Sequence, residues 1–180
     1  EVLQISSPLT NRKFIDCTFG GGGYSKEILK FSNTTVHAID RDKKAVPIAN
    51  LLEKKFPQRF KFYQTKFSQL ENTSKENVDA VIFDLGLSSI QLDDLERGFS
   101  FRSVKKLNMT MGLNQTSALE AVNNLSEKNL KLIIKILGEE KEASKIAKNI
   151  VKHRNIKKII NTSELVKIIE ESKSRKYSSK

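Results

Sequence analysis

Four consecutive glycines, Gly20–Gly23, stand between a segment predicted as a strand and one predicted as a helix. Because glycine lacks a Cβ, such a turn lets the backbone approach a ligand closely. Asp40 ends the next predicted strand, at the spacing where an acid binds ribose hydroxyls in nucleotide-binding βαβ units. Ser25 replaces the third glycine of the dinucleotide fingerprint, and Asp16 suits a cationic ligand better than a phosphate. The pattern favours a ribose-bearing ligand without phosphates over a merely flexible turn.

A second candidate for chemistry is Asp84, in the segment FDLGLSS that follows the fourth predicted strand. Open α/β sheets bind ligands at the carboxyl ends of their strands. The exocyclic amine of a nucleobase is a poor nucleophile, since its lone pair is delocalised into the ring. A carboxylate that accepts the amine N–H would orient it and localise electron density on nitrogen. An Asp that only stabilises the following turn is an equally weighted alternative.

The loop QLDDLERGFSF, residues 91–101, carries a third candidate group. Phe99 and Phe101 alternate around a serine and lie close to Arg97 and Arg102 in sequence. Aromatic rings beside guanidinium groups suit a base turned out of its stack and the phosphate next to it. Ordinary packing of the loop onto the sheet is the favoured alternative for at least one of the two phenylalanines.

Two different patterns of elements follow each other along the chain. Strand-like segments at 13–18, 35–39, 59–63 and 77–83 alternate with helical segments at 24–31 and 42–56, which predicts a parallel α/β sheet. After Phe101 only helical patterns remain, with starts near Thr116, Ser126, Glu139 and Thr162. In the second of these helices one face would hold Leu130, Ile133, Ile134 and Leu137. The sequence thus predicts a core at residues 1–104 and a helical domain at 105–180.

The net charge of +11 is concentrated in the second of these regions. Residues 1–100 carry 14 Lys/Arg and 13 Asp/Glu, whereas residues 101–180 carry 18 and 8, and all ten Phe lie at or before Phe101. A basic field attracts polyanions and accelerates their encounter. A solvated lysine-rich surface explains the same charge equally well.

The cysteine and histidine content and the hydropathy of the chain argue against several classes of protein. Cys17 is the only cysteine, and with only two distant histidines, His37 and His153, it cannot form a zinc site, so no metal is expected. No apolar run approaches the roughly 18 residues of a membrane span, and no signal peptide is recognisable. The expectation is a cytoplasmic protein without a membrane partner; its oligomeric state is not predictable from these features.

Six segments, in this order, resemble the MraW-type 16S ribosomal RNA cytosine-N4 methyltransferases of bacteria and mitochondria: DCTFGGGGYS, AIDRD, KFSQL, VIFDLGLSS, QLDDLERGFSF and GEEKEASKIAKNIV. They are distributed along residues 16–151. The resemblance implies a Rossmann-like class I methyltransferase core, with strand order 3-2-1-4 for four strands, and an inserted helical domain. It also implies S-adenosylmethionine as cofactor and methylation of a cytidine in the decoding region of the small ribosomal subunit.

The resemblance also assigns site residues. The implied cofactor contacts are Gly22, Gly23, Tyr24, Asp40, Phe67, Asp84 and Gln91. Asp84 is in addition the expected catalytic residue.

Three departures from the family pattern limit this assignment. Tyr24 stands where the family usually has His, which leaves only a backbone contact there. The family's D-M-R-M stretch reads Asn108-Met109-Thr110-Met111 here, so no site residue is assigned to it. The segment that follows the helical domain in relatives is missing, and we expect an incomplete copy of the enzyme, with a bare edge at residues 78–83 where a fifth strand would pair.

Other functions stay open from the sequence alone. The first is a class I methyltransferase that acts on another RNA, a protein or a small molecule. The second is a nicotinamide-dependent oxidoreductase, which the imperfect glycine pattern and Asp16 disfavour. The third is a non-catalytic RNA-binding fragment.

Overall fold

The computed structural model describes residues 2–6, 10–73, 77–114 and 116–173. The chain forms two compact units. Unit 1 comprises Glu1–Ile90 and Met111–Leu113, and unit 2 comprises Gln91–Thr110 and Asn114–Lys180. Unit 1 therefore ends earlier in the chain than the sequence-based boundary at residue 104, and three later residues return to it. The assignment of the helical unit as a domain inserted into a larger core stays a prediction.

Unit 1 is built on a parallel sheet of four strands: β1 (Lys13–Asp16), β2 (Thr35–Asp40), β3 (Phe60–Gln64) and β4 (Ala80–Ile82). Their spatial order is β3-β2-β1-β4, which confirms the predicted order. Helix α1 (Val2–Ile5) precedes the sheet, α2 (Gly23–Ile28) follows β1, and α3 (Ala45–Lys55) follows β2. A 3₁₀ helix (Phe67–Asn72) follows β3. The architecture is the α/β class expected from the alternating pattern.

Side-chain alternation along the strands gives the sheet two apolar faces. On one face Phe14, Val36 and Ala38 pack with Ile28 of α2 and Leu52 of α3. On the other face Ile15, Cys17 and Ile39 form a smaller cluster, against which Tyr63, Leu70 and Val78 pack. These clusters pack against both faces of the sheet, so the loops at the carboxyl ends of the strands start from a buried core.

Helix α3 begins later than the sequence suggests. Asp42, the first residue of the predicted segment 42–56, accepts the N–H of Lys44 at 3.1 Å ahead of the helix, and Lys44 itself is the N-cap. Pro47 therefore falls in the first turn of α3, where its missing N–H removes no helical hydrogen bond. The predicted segment 42–56 thus began three residues too early, and the later start is the one that Pro47 requires, since a helix from Asp42 would place this proline in its interior.

Unit 2 contains α5 (Ala118–Asn124), α6 (Glu127–Ile136), α7 (Ala143–Ile156) and α8 (Thr162–Ser172), and it has its own apolar core. A short helix α4 (Ser89–Asp93) and a 3₁₀ turn (Leu95–Arg97) precede them. Ser117 and Glu120 form a reciprocal capping box on α5, while the side chains of Ser126 and Asn161 cap α6 and α8. The predicted helical character of this region is confirmed.

The apolar face predicted for α6 is wrong in part. Leu130 is buried in the core of unit 2 and Ile134 packs against that core. Ile133 and Leu137 are exposed, with Leu137 at 79 %. Helical periodicity assigned four residues to one apolar face, but α6 presents only one side to α7, and the other side faces solvent.

Among the described residues, no helix is long and apolar enough to cross a membrane.

Strand β4 is an edge strand of the sheet. Within the described ranges it pairs with β1 alone, and no described residue after 101 forms a ladder with it. Val81, in the middle of β4, is exposed. An unpaired apolar strand edge is a template for pairing with another chain.

We therefore expect the 180-residue chain to self-associate through β4, and Val81→Lys to reduce this association by placing a charge at the edge. Sedimentation velocity across a concentration series measures the effect. Val104→Lys is the matched control, since Val104 is also exposed but belongs to no strand, and it should leave association unchanged. A parent chain that stays monomeric, or equal association of parent and Val81→Lys, would contradict the expectation.

Candidate cofactor and catalytic site

The site in unit 1 lies at the carboxyl edge of the sheet, where parallel strands all end on the same side. The loop after β1 crosses this edge and is tied to both neighbouring strands. Cys17 donates its N–H to the carbonyl of Ile82 at 2.9 Å, and Phe19 donates to the carbonyl of Ile39 at 3.1 Å. The loop that carries the glycines is thus fixed between the ends of β2 and β4.

Two glycines of this loop are required by its backbone geometry. Gly20 and Gly22 have φ of +50° and +75°, which L side chains rarely adopt. A Cβ on Gly22 would also lie 2.8 Å from the ring of Phe19. Gly22 is the N-cap of α2, and within the described part of the chain the N–H groups of Gly23 and Tyr24 have no hydrogen-bond acceptor. The loop thus leaves two backbone donors at the start of α2.

Asp40 at the end of β2 is anchored by its own carboxylate. Its Oδ2 accepts the N–H of Gly20 at 2.7 Å and its Oδ1 accepts the N–H of Asp42 at 2.8 Å. Each carboxylate oxygen can accept more than one hydrogen bond, so acceptor capacity is left for a ligand hydroxyl. Asp40 is only partly buried, and it ties the position of the glycine loop to the end of β2.

Asp16 does not lie open to a ligand, contrary to the expectation that it could face a cation. It is 1 % exposed, and its Oδ2 accepts the hydroxyl of Ser25 at 2.7 Å while its Oδ1 accepts the N–H of Thr18 at 3.2 Å. Burial raises the pKa of Asp16, and the charge of Asp40 raises it further, against the lowering effect of these hydrogen bonds. Its role here is to fasten the start of α2 to the end of β1.

The surroundings of Cys17 disfavour the thiolate form of its side chain. Burial, with a further contribution from the charge of Asp16, raises the pKa of the Cys17 thiol to about 11. A thiol with this pKa stays protonated at neutral pH, and the thiolate is the nucleophilic form. The chemistry of this edge is therefore left to carboxylates and backbone donors.

Asp84 lies two residues after the end of β4 and is exposed. Its backbone N–H donates to Oγ1 of Thr18 at 2.8 Å, which joins the start of the β4 loop to the loop after β1. Asp84 and the glycine loop therefore belong to one connected edge. Thr18 was not among the sequence-based candidates, because only the fold reveals that its hydroxyl reaches this N–H.

Two exposed aromatic rings lie beside each other at the same edge. Phe67 and Phe83 have ring centroids 5.7 Å apart in an edge-to-face arrangement, and they are 45 % and 48 % exposed. Soluble domains usually bury such rings, so an exposed pair next to polar site residues offers an apolar wall to a ligand. Phe67 was assigned through the resemblance, whereas Phe83, directly before Asp84 in VIFDLGLSS, was missed.

The other residues proposed from the sequence differ in how they are placed in the structure. The ring of Tyr24 packs against the main core cluster of unit 1, which leaves its backbone N–H as the group available to a ligand. Gln91 is buried and belongs to unit 2, so its contribution to the site stays a prediction. In unit 2 the guanidinium of Arg97 lies 5.1 Å from the ring centroid of Phe99, whereas Phe101 is exposed.

The parallel sheet with order β3-β2-β1-β4, and a glycine loop and acids at its carboxyl edge, define a Rossmann-like α/β protein. Within this class the chain belongs to the MraW methylase family, which it matches over residues 1–180.

Similar proteins carry the name ribosomal RNA small subunit methyltransferase H. The relative from Bartonella tribocorum (strain CIP 105476 / IBS 506) is 44 % identical over 175 residues, which are 97 % of this chain and 52 % of the relative. The relative from Orientia tsutsugamushi (strain Ikeda) is 42 % identical over 174 residues, 96 % of this chain and 56 % of the relative. The chain thus spans about half the length of these curated relatives. A solved rRNA methylase from Streptococcus thermophilus superposes with a TM-score of 0.40 at 22 % identity, over 52 % of this chain and 61 % of the other.

Proposed function

We propose that the chain is an S-adenosylmethionine-dependent methyltransferase that methylates N4 of a cytidine in the RNA of the small ribosomal subunit. The observation that carries the proposal is the convergence of the glycine loop, Asp40 and Asp84 on one edge of the sheet, joined by hydrogen bonds. Membership of the MraW methylase family and the names of the curated relatives support it. The position of the cytidine in the decoding region rests on the resemblance alone.

The residues at this edge fit a cofactor with a ribose and no phosphate. The N–H groups of Gly23 and Tyr24 would face the cofactor, with Gly22 allowing close approach, and the Asp40 carboxylate would accept ribose hydroxyls. The exposed ring of Phe67 would contact the adenine, and Gln91 completes the proposed set. When bound, the cofactor supplies an electrophilic methyl group on a sulfonium sulfur.

Asp84 would act on the amine that receives the methyl group. Its carboxylate accepts one N–H of the cytosine amine, which orients the nitrogen and makes its lone pair more available. In the transfer the bond between sulfur and the methyl carbon breaks as the bond between nitrogen and carbon forms. The nitrogen then loses a proton, which the Asp84 carboxylate can accept before it passes to water. The N–H of Asp84 bonded to Thr18 would hold this side chain at the loop.

The charge of the helical region suits an RNA substrate. Residues 101–180 carry an excess of ten positive charges, and a basic surface binds phosphates without regard to sequence. We propose the small ribosomal subunit as the partner and the cytoplasm as the compartment. The second candidate is a class I methyltransferase that acts on another RNA, a protein or a small molecule. The geometry of the sheet edge supports both candidates equally.

Methyl transfer from labelled S-adenosylmethionine separates these candidates. The chain is incubated with intact small ribosomal subunits, with free nucleosides and with a protein extract free of RNA, and the modified product is digested to nucleosides or amino acids. We expect label in N4-methylcytidine from the small subunits. Label in another nucleoside, in protein or in a free metabolite would overturn the proposed substrate.

A further inference from the structure

A groove of about 210 Å³ lies in unit 2 where α7 ends and α8 begins. Its lining includes Ile156 at the end of α7, Lys158 in the connection and Lys167 on α8. Because all these residues belong to unit 2, the groove is formed by the helical unit itself. It lies apart in the chain from every residue assigned to the cofactor and to the amine.

The charges around the groove leave an excess of cations. Three lysines and two glutamates line it, and of the acids Glu164 pairs with Lys157 at 3.6 Å, while Glu171 lies 3.5 Å from Nε2 of His153. Lys158 and Lys167 line the same groove and have no ion-pair partner within the described residues. Two unpaired ammonium groups that converge on one cavity suit an anionic ligand, and lysine is a common phosphate binder.

The groove also has an apolar side. Ile156 is 81 % exposed, whereas its neighbours in the lining, Ile159 and Ile168, are buried in the core of unit 2. Ile156 thus gives the groove one accessible apolar side chain beside its cations. A nucleotide offers the complementary combination, with an apolar base or ribose face next to a phosphate.

A basic face of α7 leads to this groove. Lys148, Lys152 and Ile156 follow each other at intervals of four residues, so they lie on one face of the helix. Lys148 and Lys152 are exposed and, like Lys158 and Lys167, have no ion-pair partner in the described part of the chain. The cations thus continue from the groove along α7, as an extended polyanion requires.

We infer that the groove between α7 and α8, together with the face of α7 that carries Lys148 and Lys152, binds a single strand of RNA through its phosphates, with a base or ribose against Ile156. The inference rests on the proposed RNA substrate and names the surface that holds it. The proposed surface does not include α6, because the lysines of α6 are also exposed but do not line the groove.

The test compares two double variants with the same loss of charge. Lys158→Gln with Lys167→Gln removes the free cations of the groove, and Lys131→Gln with Lys135→Gln removes two exposed cations from α6. Each 180-residue chain is titrated with a labelled oligouridylate of about twelve nucleotides, by fluorescence anisotropy at several salt concentrations. Circular dichroism checks that the helical content of both variants equals that of the parent.

We expect the groove variant to bind about tenfold or more weakly, and its plot of log affinity against log salt to be flatter by about 1.4, since each lost phosphate contact on a single strand contributes about 0.7. The α6 variant should match the parent within about twofold. Equal losses in both variants, or no loss in either, would overturn the groove as the binding surface and leave the proposed function standing. A parent chain that binds no RNA would overturn both the inference and the proposed substrate.

Discussion

Asp84→Asn should lower the rate of methyl transfer to small ribosomal subunits by about 10²- to 10³-fold, the effect seen when one preorganised transition-state contact is removed. The asparagine oxygen still accepts a hydrogen bond, but it lacks the charge that stabilises an amine losing its proton. The backbone N–H of residue 84 keeps its bond to Thr18, so the loop should hold its conformation.

Single-turnover transfer with saturating S-adenosylmethionine measures this effect, because it separates the chemical step from product release. Asp84 is also among the proposed cofactor contacts, and we expect cofactor affinity to change less than the rate. Glu170→Gln is the matched control, since it removes an exposed carboxylate on α8 and should leave the rate unchanged. A rate for Asp84→Asn within a few fold of the parent would exclude Asp84 as the residue that acts on the amine.

Gly112→Ala should destabilise unit 1 by about 3 kcal/mol or more. Gly112 has a φ of +55°, and a Cβ built on it would lie 1.8 Å from the carbonyl oxygen of Arg41 and 2.9 Å from the backbone nitrogen of Asp42. Both obstacles are backbone, so the clash cannot be relieved by a change of rotamer. Because Arg41 directly follows Asp40, the same displacement should also weaken cofactor binding.

Urea unfolding followed by circular dichroism measures the loss of stability. Gly21→Ala is the matched control, since its Cβ would meet only the Cδ1 of Ile90 at an ordinary 3.6 Å and its φ is not positive. That variant should unfold at the same urea concentration as the parent. Unchanged stability in Gly112→Ala would show that Met111–Leu113 do not pack on Arg41 in solution.

The parallel sheet followed from the sequence because β-branched and aromatic runs alternate with helical segments at short spacing, whereas its strand order was implied by the resemblance to the MraW-type methyltransferases. The positions of the glycine loop and of Asp40 were predictable for the same local reason, since each lies where a predicted strand ends. The helix starts near Thr116 and Ser126 were equally predictable, since a capping side chain acts on N–H groups two or three residues away.

Features that depend on tertiary packing could not be predicted from the sequence. The direction of the Asp16 side chain, inward to Ser25 rather than outward to a ligand, is decided by how α2 packs on β1. The bond from Asp84 to Thr18 joins residues 66 positions apart. The exposure of Leu137 depends on which side of α6 meets α7, and helical periodicity does not contain that information.

The central claim is that the carboxyl edge of this sheet binds S-adenosylmethionine through Asp40, and calorimetric titration with its demethylated product, S-adenosylhomocysteine, tests it most directly. We expect the parent chain to bind, and Asp40→Ala to raise the dissociation constant about 10- to 150-fold, which corresponds to about 1.5–3 kcal/mol for lost hydrogen bonds to a charged acceptor. Glu170→Gln should bind like the parent, and NAD should bind to none of the three. Equal affinity of the Asp40→Ala variant and the parent for S-adenosylhomocysteine, or binding of NAD in its place, would contradict the account.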